Sequence, residues 1–180
     1  MRDSFGDLVE EGLDLAVRVG EISEGTRIAR KLGLVHKWLV ASPACLQRHN
    51  MPEHPRELTE YPGVVYNYGS SRLDWNFDRE GEESVIAPSA VFRANSSEAV
   101  LYAVEAGIGV GLLPAFQVRD AVASGRLVRL FADWTIPGLP FYAVHTGPRT
   151  LPLRTRTVMD FLVEVSGDLL RAGGLLSTVL

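Results

Sequence analysis

The chain has 180 residues, 46% of them apolar, enough for one domain or for two small lobes around a real core. With 18 Lys+Arg against 22 Asp+Glu, the formal charge of -4 argues against bulk attraction to a phosphate backbone, so direct DNA binding by these residues is not expected. One cysteine, Cys45, excludes an internal disulfide; no apolar run could span a bilayer, and the charged N-terminus lacks an export-signal pattern, which together point to a reducing cytoplasm and no membrane partner.

Ser4 with Asp7 three residues on has capping-box spacing and predicts a short helix ended by Gly12. Residues 13–20, LDLAVRVG, begin in apolar–polar alternation and predict a strand. Beyond the polar loop EISEGTR lie two extended stretches, residues 28–34 and Lys37–Ala41, between which the chain can cross from one lobe to another. Ser42 and Pro43 predict a short helix through Leu46 and Arg48, since Ser caps well and Pro is tolerated at the first helical position. Residues 55–58 read as a helical turn, residues 64–66 as a buried strand, residues 75–81 as a strand and turn, and residues 84–86 and 89–94 as further strands.

Asn95 is placed as the N-cap of the next helix, with Glu98 at the capping-box position and Val100, Ala103 and Val104 on one face until Gly107. Residues 108–113 follow as an apolar strand of the kind covered on both faces of a parallel sheet. Pro114 begins a helix whose apolar side is Phe116, Val118, Ala121 and Val122, with Gly125 at its end; residues 127–131 and 141–146 read as strands. Pro152 opens the last helix, where Val158, Phe161, Leu162, Val165 and Leu169 predict a core-facing stripe. Strands alternating with helices imply an α/β fold with largely parallel sheets. The closing AGGLLSTVL reads as a frayed tail or as a contact for a partner.

Gly107, Gly109 and Gly111 superficially resemble a nucleotide-binding motif, but they follow a helix and enter a strand, the reverse of the order such a site requires; a tight turn with close packing fits them better. His36, His49, His54 and His145 lack zinc-site spacing, no catalytic signature surrounds Cys45, and no Gly-x-Ser-x-Gly elbow is present, so neither metal, cofactor nor enzymatic activity is expected. Two helix starts are more informative. Ser42 and the pair Asn95–Ser96 each follow a strand end, where backbone N–H groups can hold an anionic ligand or simply be capped.

The ordered landmarks LVEEGLDLAVRVG, IARKL, ASPA, Trp75-Asn76-Phe77, Ala94-Asn95, AGIGVGLLP, Gly125-Arg126-Leu127-Val128 and residues 157–161 resemble the substrate-binding domain of LysR-type regulators across nearly the whole chain. The resemblance implies a periplasmic-binding-protein-like architecture: two α/β lobes joined by two crossing strands, with an effector held between them. Residues 1–34 and 145–180 would form lobe I and residues 35–144 lobe II. Arg18, Val19, Gly20, Ser42, Asn95 and Ser96 match positions that contact the effector. A LysR regulator begins with a winged helix-turn-helix and a linker helix, and its sensor begins with a strand and a helix ahead of the segment matched by residues 4–20. The first lobe is therefore expected to be incomplete, the chain being a fragment, a misassigned start or a decayed relative. A small polar or anionic effector, a homodimer and DNA contact only through the absent domain follow from the resemblance. The rival readings are a free-standing solute-binding protein or a small enzyme on the same scaffold.

Overall fold

The computed structural model of the chain describes residues 13–20, 28–66, 74–145, 152–173 and 176–177. In chain order the strands and helices are β1 (Ala16–Val19), β2 (Ile28–Val35), β3 (Lys37–Ala41), α1 (Pro43–His49), a 3-10 helix (Pro55–Glu60), β4 (Pro62–Tyr66), β5 (Trp75–Arg79), β6 (Glu82–Ile86), β7 (Ser89–Ala94), α2 (Ser97–Glu105), β8 (Val110–Pro114), α3 (Ala115–Ala123), β9 (Val128–Leu130), β10 (Leu139–His145), α4 (Leu153–Gly173) and β11 (Leu176–Ser177). The helix expected at residues 4–12 lies outside the described residues. Two compact units result: one is the continuous segment Lys37–Pro137, and the other draws on the described residues of Phe5–His36 and Gly138–Leu180.

The continuous unit is built on a five-stranded sheet of order β7-β4-β8-β3-β9. β7, β4 and β8 run parallel, whereas β3 is antiparallel to both β8 and β9. Side chains alternate faces along a strand, so neighbouring residues enter different cores. Leu39 and Ala41 join Cys45, Leu58, Tyr61 and the aromatic residues Trp75, Phe77 and Trp134 on one face. Val40 joins Val100, Val104, Leu113, Val118 and Leu127 on the other. Thus α2 and α3 cover one side of the sheet, and α1, the 3-10 helix and the β5–β6 hairpin cover the opposite side. Leu39, Leu58, Leu113 and Leu127 are essentially sealed from solvent, and truncating one to Ala would cost about 2–5 kcal/mol.

The hairpin forms its own two-stranded sheet and is clipped down by a reciprocal backbone pair, Asp78 N–H to the Thr135 carbonyl at 2.9 Å and Thr135 N–H to the Asp78 carbonyl at 2.6 Å. Arg79 adds a side-chain clamp, lying 4.4 Å over the Trp134 ring while donating to Asp133 at 3.0 Å and Glu82 at 3.2 Å. The Arg79 guanidinium holds the Asp133 carboxyl below the usual range; His54 first and then Arg79 do the same for Glu82.

In the second unit the strand order is β1-β10-β2-β11 and every pairing is antiparallel. This corrects the expectation of largely parallel sheets. The segment between β2 and β10 is long enough for a parallel crossover, yet Val35 pairs with Leu139 and Ile28 with His145, so the two strands run in opposite directions. Their register shifts between Phe141 and Tyr142, a bulge that leaves Leu32 without an opposite residue.

Helix faces bring two more corrections. Phe116 is 57% exposed, because α3 sits on the sheet through Ala115, Val118 and Ala121, small residues at i, i+3 and i+6 that allow close approach. On α4, Val158 and Phe161 are exposed, at 49% and 59%, and the buried face carries Thr155, Met159 and Ser166 instead. Ser166 can be buried because its hydroxyl donates to the Val163 carbonyl of its own helix at 2.9 Å. Two exposed pairs, Arg30–Asp160 at 3.5 Å and Arg154–Asp14 at 3.3 Å, join α4 to its neighbours. Leu169 lies where only the backbone of α4 is described.

Candidate functional site

The direction of the strands decides where the helix starts fall. β4, β7 and β8 all end on one edge of the five-stranded sheet, since Tyr66 is opposite Ala94 and Pro114 is opposite Lys37, the first residue of the reversed strand β3. The N-termini of α2 and α3 therefore emerge side by side at this edge. In open α/β sheets, the carboxyl ends of parallel strands are the usual place for a ligand.

The N-cap of α2 is Ser96, not Asn95. Ser96 is extended at φ -124 and ψ 123, and its Oγ accepts from the Ala99 N–H at 3.4 Å. Asn95 lies one residue outside, exposed in the bend that follows β7, with its side chain not engaged as the cap. Both residue types cap well, and the one three residues before a free amide takes the position; Glu98 then falls at the second helical residue, near the positive end of the dipole.

A pair that side-chain capping signals did not flag completes this edge. The Gln117 Nε2 donates to the Ser97 Oγ at 3.4 Å, linking the first turns of α3 and α2, while the Gln117 Oε1 is buried without a partner among the described residues. The N-cap of α3 is Pro114, which has no side chain to offer its first amides. Lys37 stands across from Pro114, and burial lowers its pKa from the ordinary ammonium range. Hydroxyls, an amide and two helix N-termini so converge on one edge, a donor-rich set suited to a polar or negatively charged group; by the alternation of β3, Lys37 belongs with Leu39 and Ala41 on the opposite face of the sheet. Gln117 was detectable in principle: Pro114 also marks a helix beginning at a strand end, although it has no side-chain cap to signal the site.

Ser42 is elsewhere. Five residues of β3 separate it from the Lys37 edge, roughly 16 Å at strand rise. It is 3% exposed, and its Oγ accepts from the Cys45 N–H at 3.3 Å as the N-cap of α1. The turn after α2 lies against it. Arg48 donates to the Gly107 carbonyl, and Gly107 has φ +77, a left-handed conformation that closes the helix. A Cβ on Gly109 would run into the Pro62 carbonyl oxygen. The glycine run is thus a device for close packing between α2, α1 and β4. Burial pushes the Cys45 thiol up despite the nearby Arg48, as suits an inert core residue.

Arg18, Val19 and Gly20 belong to the other unit. Arg18 and Val19 are the last two residues of β1, and Gly20, at φ +107, donates its N–H to the Pro140 carbonyl at 2.7 Å. Among the described residues no group of three or more His, Cys, Asp or Glu could hold a metal ion, and no helix is long and apolar enough to cross a membrane.

The architecture is the periplasmic-binding-protein-like α/β class found in the regulatory domains of LysR-type regulators. The family model "LysR substrate binding domain" matches residues 2–167, and the chain belongs to that family. A relative, the HTH-type transcriptional regulator PtxR of Pseudomonas aeruginosa, is 33% identical over 165 residues, covering 92% of this chain and 53% of PtxR. The solved regulatory domain of CrgA from Neisseria meningitidis, a LysR-type transcriptional regulator, superposes with a TM-score of 0.75 at 31% identity, covering 92% of this chain and 81% of that one. Full-length AphB, described as a Vibrio cholerae virulence activator, gives a TM-score of 0.75 at 29% identity over 92% of this chain and 56% of that one. The chain spans about half the length of the curated relatives it matches.

Proposed function

We propose that this chain is the effector-binding domain of a LysR-type transcriptional regulator, sensing a small polar or anionic molecule in the cytoplasm as a homodimer and modulating transcription through DNA contacts made by another domain. The observation that carries the reading is the sheet edge where α2 and α3 begin together, with Ser96, Ser97 and Gln117 at the helix starts. Asn95 is the exposed polar side chain at this edge. It and the unpartnered Gln117 Oε1 are the groups assigned to the ligand. An anionic group would accept from the first amides of α3, and Gln117 would receive a donor from the ligand or rotate its amide to give one. Binding would bias the conformations of the regulator by the difference in affinity between them. Ser42 is assigned to the fold rather than to the ligand. The parts given to Arg18, Val19 and Gly20 rest on the resemblance alone.

The test is a thermal-shift screen of the chain against small carboxylates and phosphates, followed by calorimetry on the compounds that raise the melting temperature. Asn95→Ala and Gln117→Leu should each weaken binding by about tenfold, the loss expected for one hydrogen bond to a charged group. Affinity unchanged in both variants would remove this edge as the site, and a screen without any saturable binder would count against the effector reading itself.

A further inference from the structure

Of the 18 basic residues in the chain only two, Lys31 and Lys37, are lysines, and their settings differ. Lys31 is exposed on β2, whereas Lys37 is half-buried at the start of β3. Alternation along β3 puts Lys37 on the face that carries Leu39, Ala41 and the aromatic core. Its neighbour on β8 is Pro114; on the other side β9 ends at Leu130, opposite Leu39, and the chain turns away at Phe131, with φ 52. Lys37 therefore has apolar surface around it and one side that no strand covers. Arg30, Arg79, Arg126 and Arg154 each face a carboxylate, but Lys37 makes no ion pair among the described residues, and burial is the one influence on its pKa, which it lowers. An ammonium taken out of water without a counter-charge is costly, and the group responds by giving up its proton. Lysine can do this and arginine cannot.

We propose that Lys37 is a carbonyl-reactive site, its Nζ condensing reversibly with small uncharged aldehydes that reach it from the open side of β3. The neutral amine holds the lone pair that attacks the carbonyl carbon. The nitrogen then passes a proton to the new alkoxide, giving a carbinolamine. Loss of the hydroxyl as water, with the second nitrogen proton, leaves the C=N bond of an imine. Nothing is oxidised or reduced, and water reverses the sequence. Partial burial meets both requirements, because the apolar surroundings keep the amine neutral and the exposed remainder admits a short-chain aldehyde. An anion in the same place would favour the ammonium instead. Lys37 is on the face of the sheet away from α2 and α3, so this site stands or falls independently of the effector reading.

Lys31 is the internal control. The full chain is treated near neutral pH with limiting formaldehyde and sodium cyanoborohydride, which delivers hydride to the imine carbon while water protonates the nitrogen. Peptide mass spectrometry then reads the methylation of each lysine separately. Lys37 should be labelled about tenfold faster than Lys31, and the advantage should vanish as pH approaches the ordinary lysine value of about 10.4. Butanal in place of formaldehyde should show the same preference. Cys45 is buried and does not compete for the aldehyde. Lys37→Arg retains the charge and should abolish the fast phase of labelling while the rate at Lys31 is unchanged, with circular dichroism checking the fold. Equal labelling of the two lysines near neutral pH, or faster labelling of Lys31, would overturn the proposal. So would a preference for Lys37 that persists unchanged at high pH, since the excess would then come from access and not from a neutral amine.

Discussion

A methyl group on Gly107 would sit 3.2 Å from the Ser42 Oγ and 3.2 Å from the terminal nitrogen of Arg48. The turn that closes α2 thus rests on the residue that opens α1, and the positive φ of Gly107 adds a conformational requirement to the steric one. Gly107→Ala should lower the unfolding free energy by about 1–2 kcal/mol, the usual penalty for a left-handed non-glycine residue, with any further loss reflecting displacement of Arg48. Urea denaturation measures it. Ser42→Ala should cost about 1 kcal/mol as the loss of an N-cap, and ligand binding by the folded fraction should be unaffected.

Asn50 offers the opposite change. It ends α1 at φ 67 and ψ 177, a region that is essentially restricted to glycine. Its carbonyl and that of His49 both accept from the Tyr61 hydroxyl, at 3.2 and 2.8 Å, which holds the backbone in this conformation. Asn50→Gly should therefore stabilise the chain by about 1 kcal/mol, strain relief of 1–3 kcal/mol being partly offset by the entropy of glycine. A lower melting temperature for this variant would contradict the strain argument.

Cys45 links stability to alkaline pH. Its thiol is held up by burial, so the folded state keeps the proton where the unfolded thiol, with a pKa of about 8.5, releases it. The associated stability is fully present below that value and is lost as pH rises from it through the raised folded value. The slope of stability against pH above about 8.5 should flatten in Cys45→Val. Iodoacetamide should react with Cys45 only on unfolding, a direct check by mass spectrometry.

How much of this was legible in the sequence depends on the kind of information required. Ser42-Pro43 set the start of α1 because capping is local. Asn95 and Ser96 are both good caps, so composition alone left the start of α2 one residue off. Strand direction was not legible: an apolar run such as that of β3 reads the same whichever way it runs, and the reversal of β3 is what puts Ser42 and Asn95 at opposite edges. The meeting of Ser97 and Gln117 is tertiary for the same reason. On α4, hydrophobic periodicity chose Val158 and Phe161, although a serine bonded to its own helix can occupy the core face.

Met159 is 4% exposed and Phe161 is 59% exposed. Met159→Ala should cost about 2–5 kcal/mol, as for other buried truncations, whereas Phe161→Ala should stay within about 0.5 kcal/mol, as for most surface changes. A larger loss at Phe161 than at Met159 in thermal melts would restore the face suggested by periodicity.

The central place of β10 in its sheet bears on how the protein is made. β1 and β2 are not paired with each other; each is registered on β10, more than a hundred residues after β2 begins. On the ribosome, Lys37–Pro137 emerges as an unbroken stretch and can complete its own sheet first. The two early strands must meanwhile wait, with their backbone groups exposed, until Leu139–His145 is translated. The order of synthesis therefore makes this sheet the late-forming and aggregation-exposed part of the nascent chain.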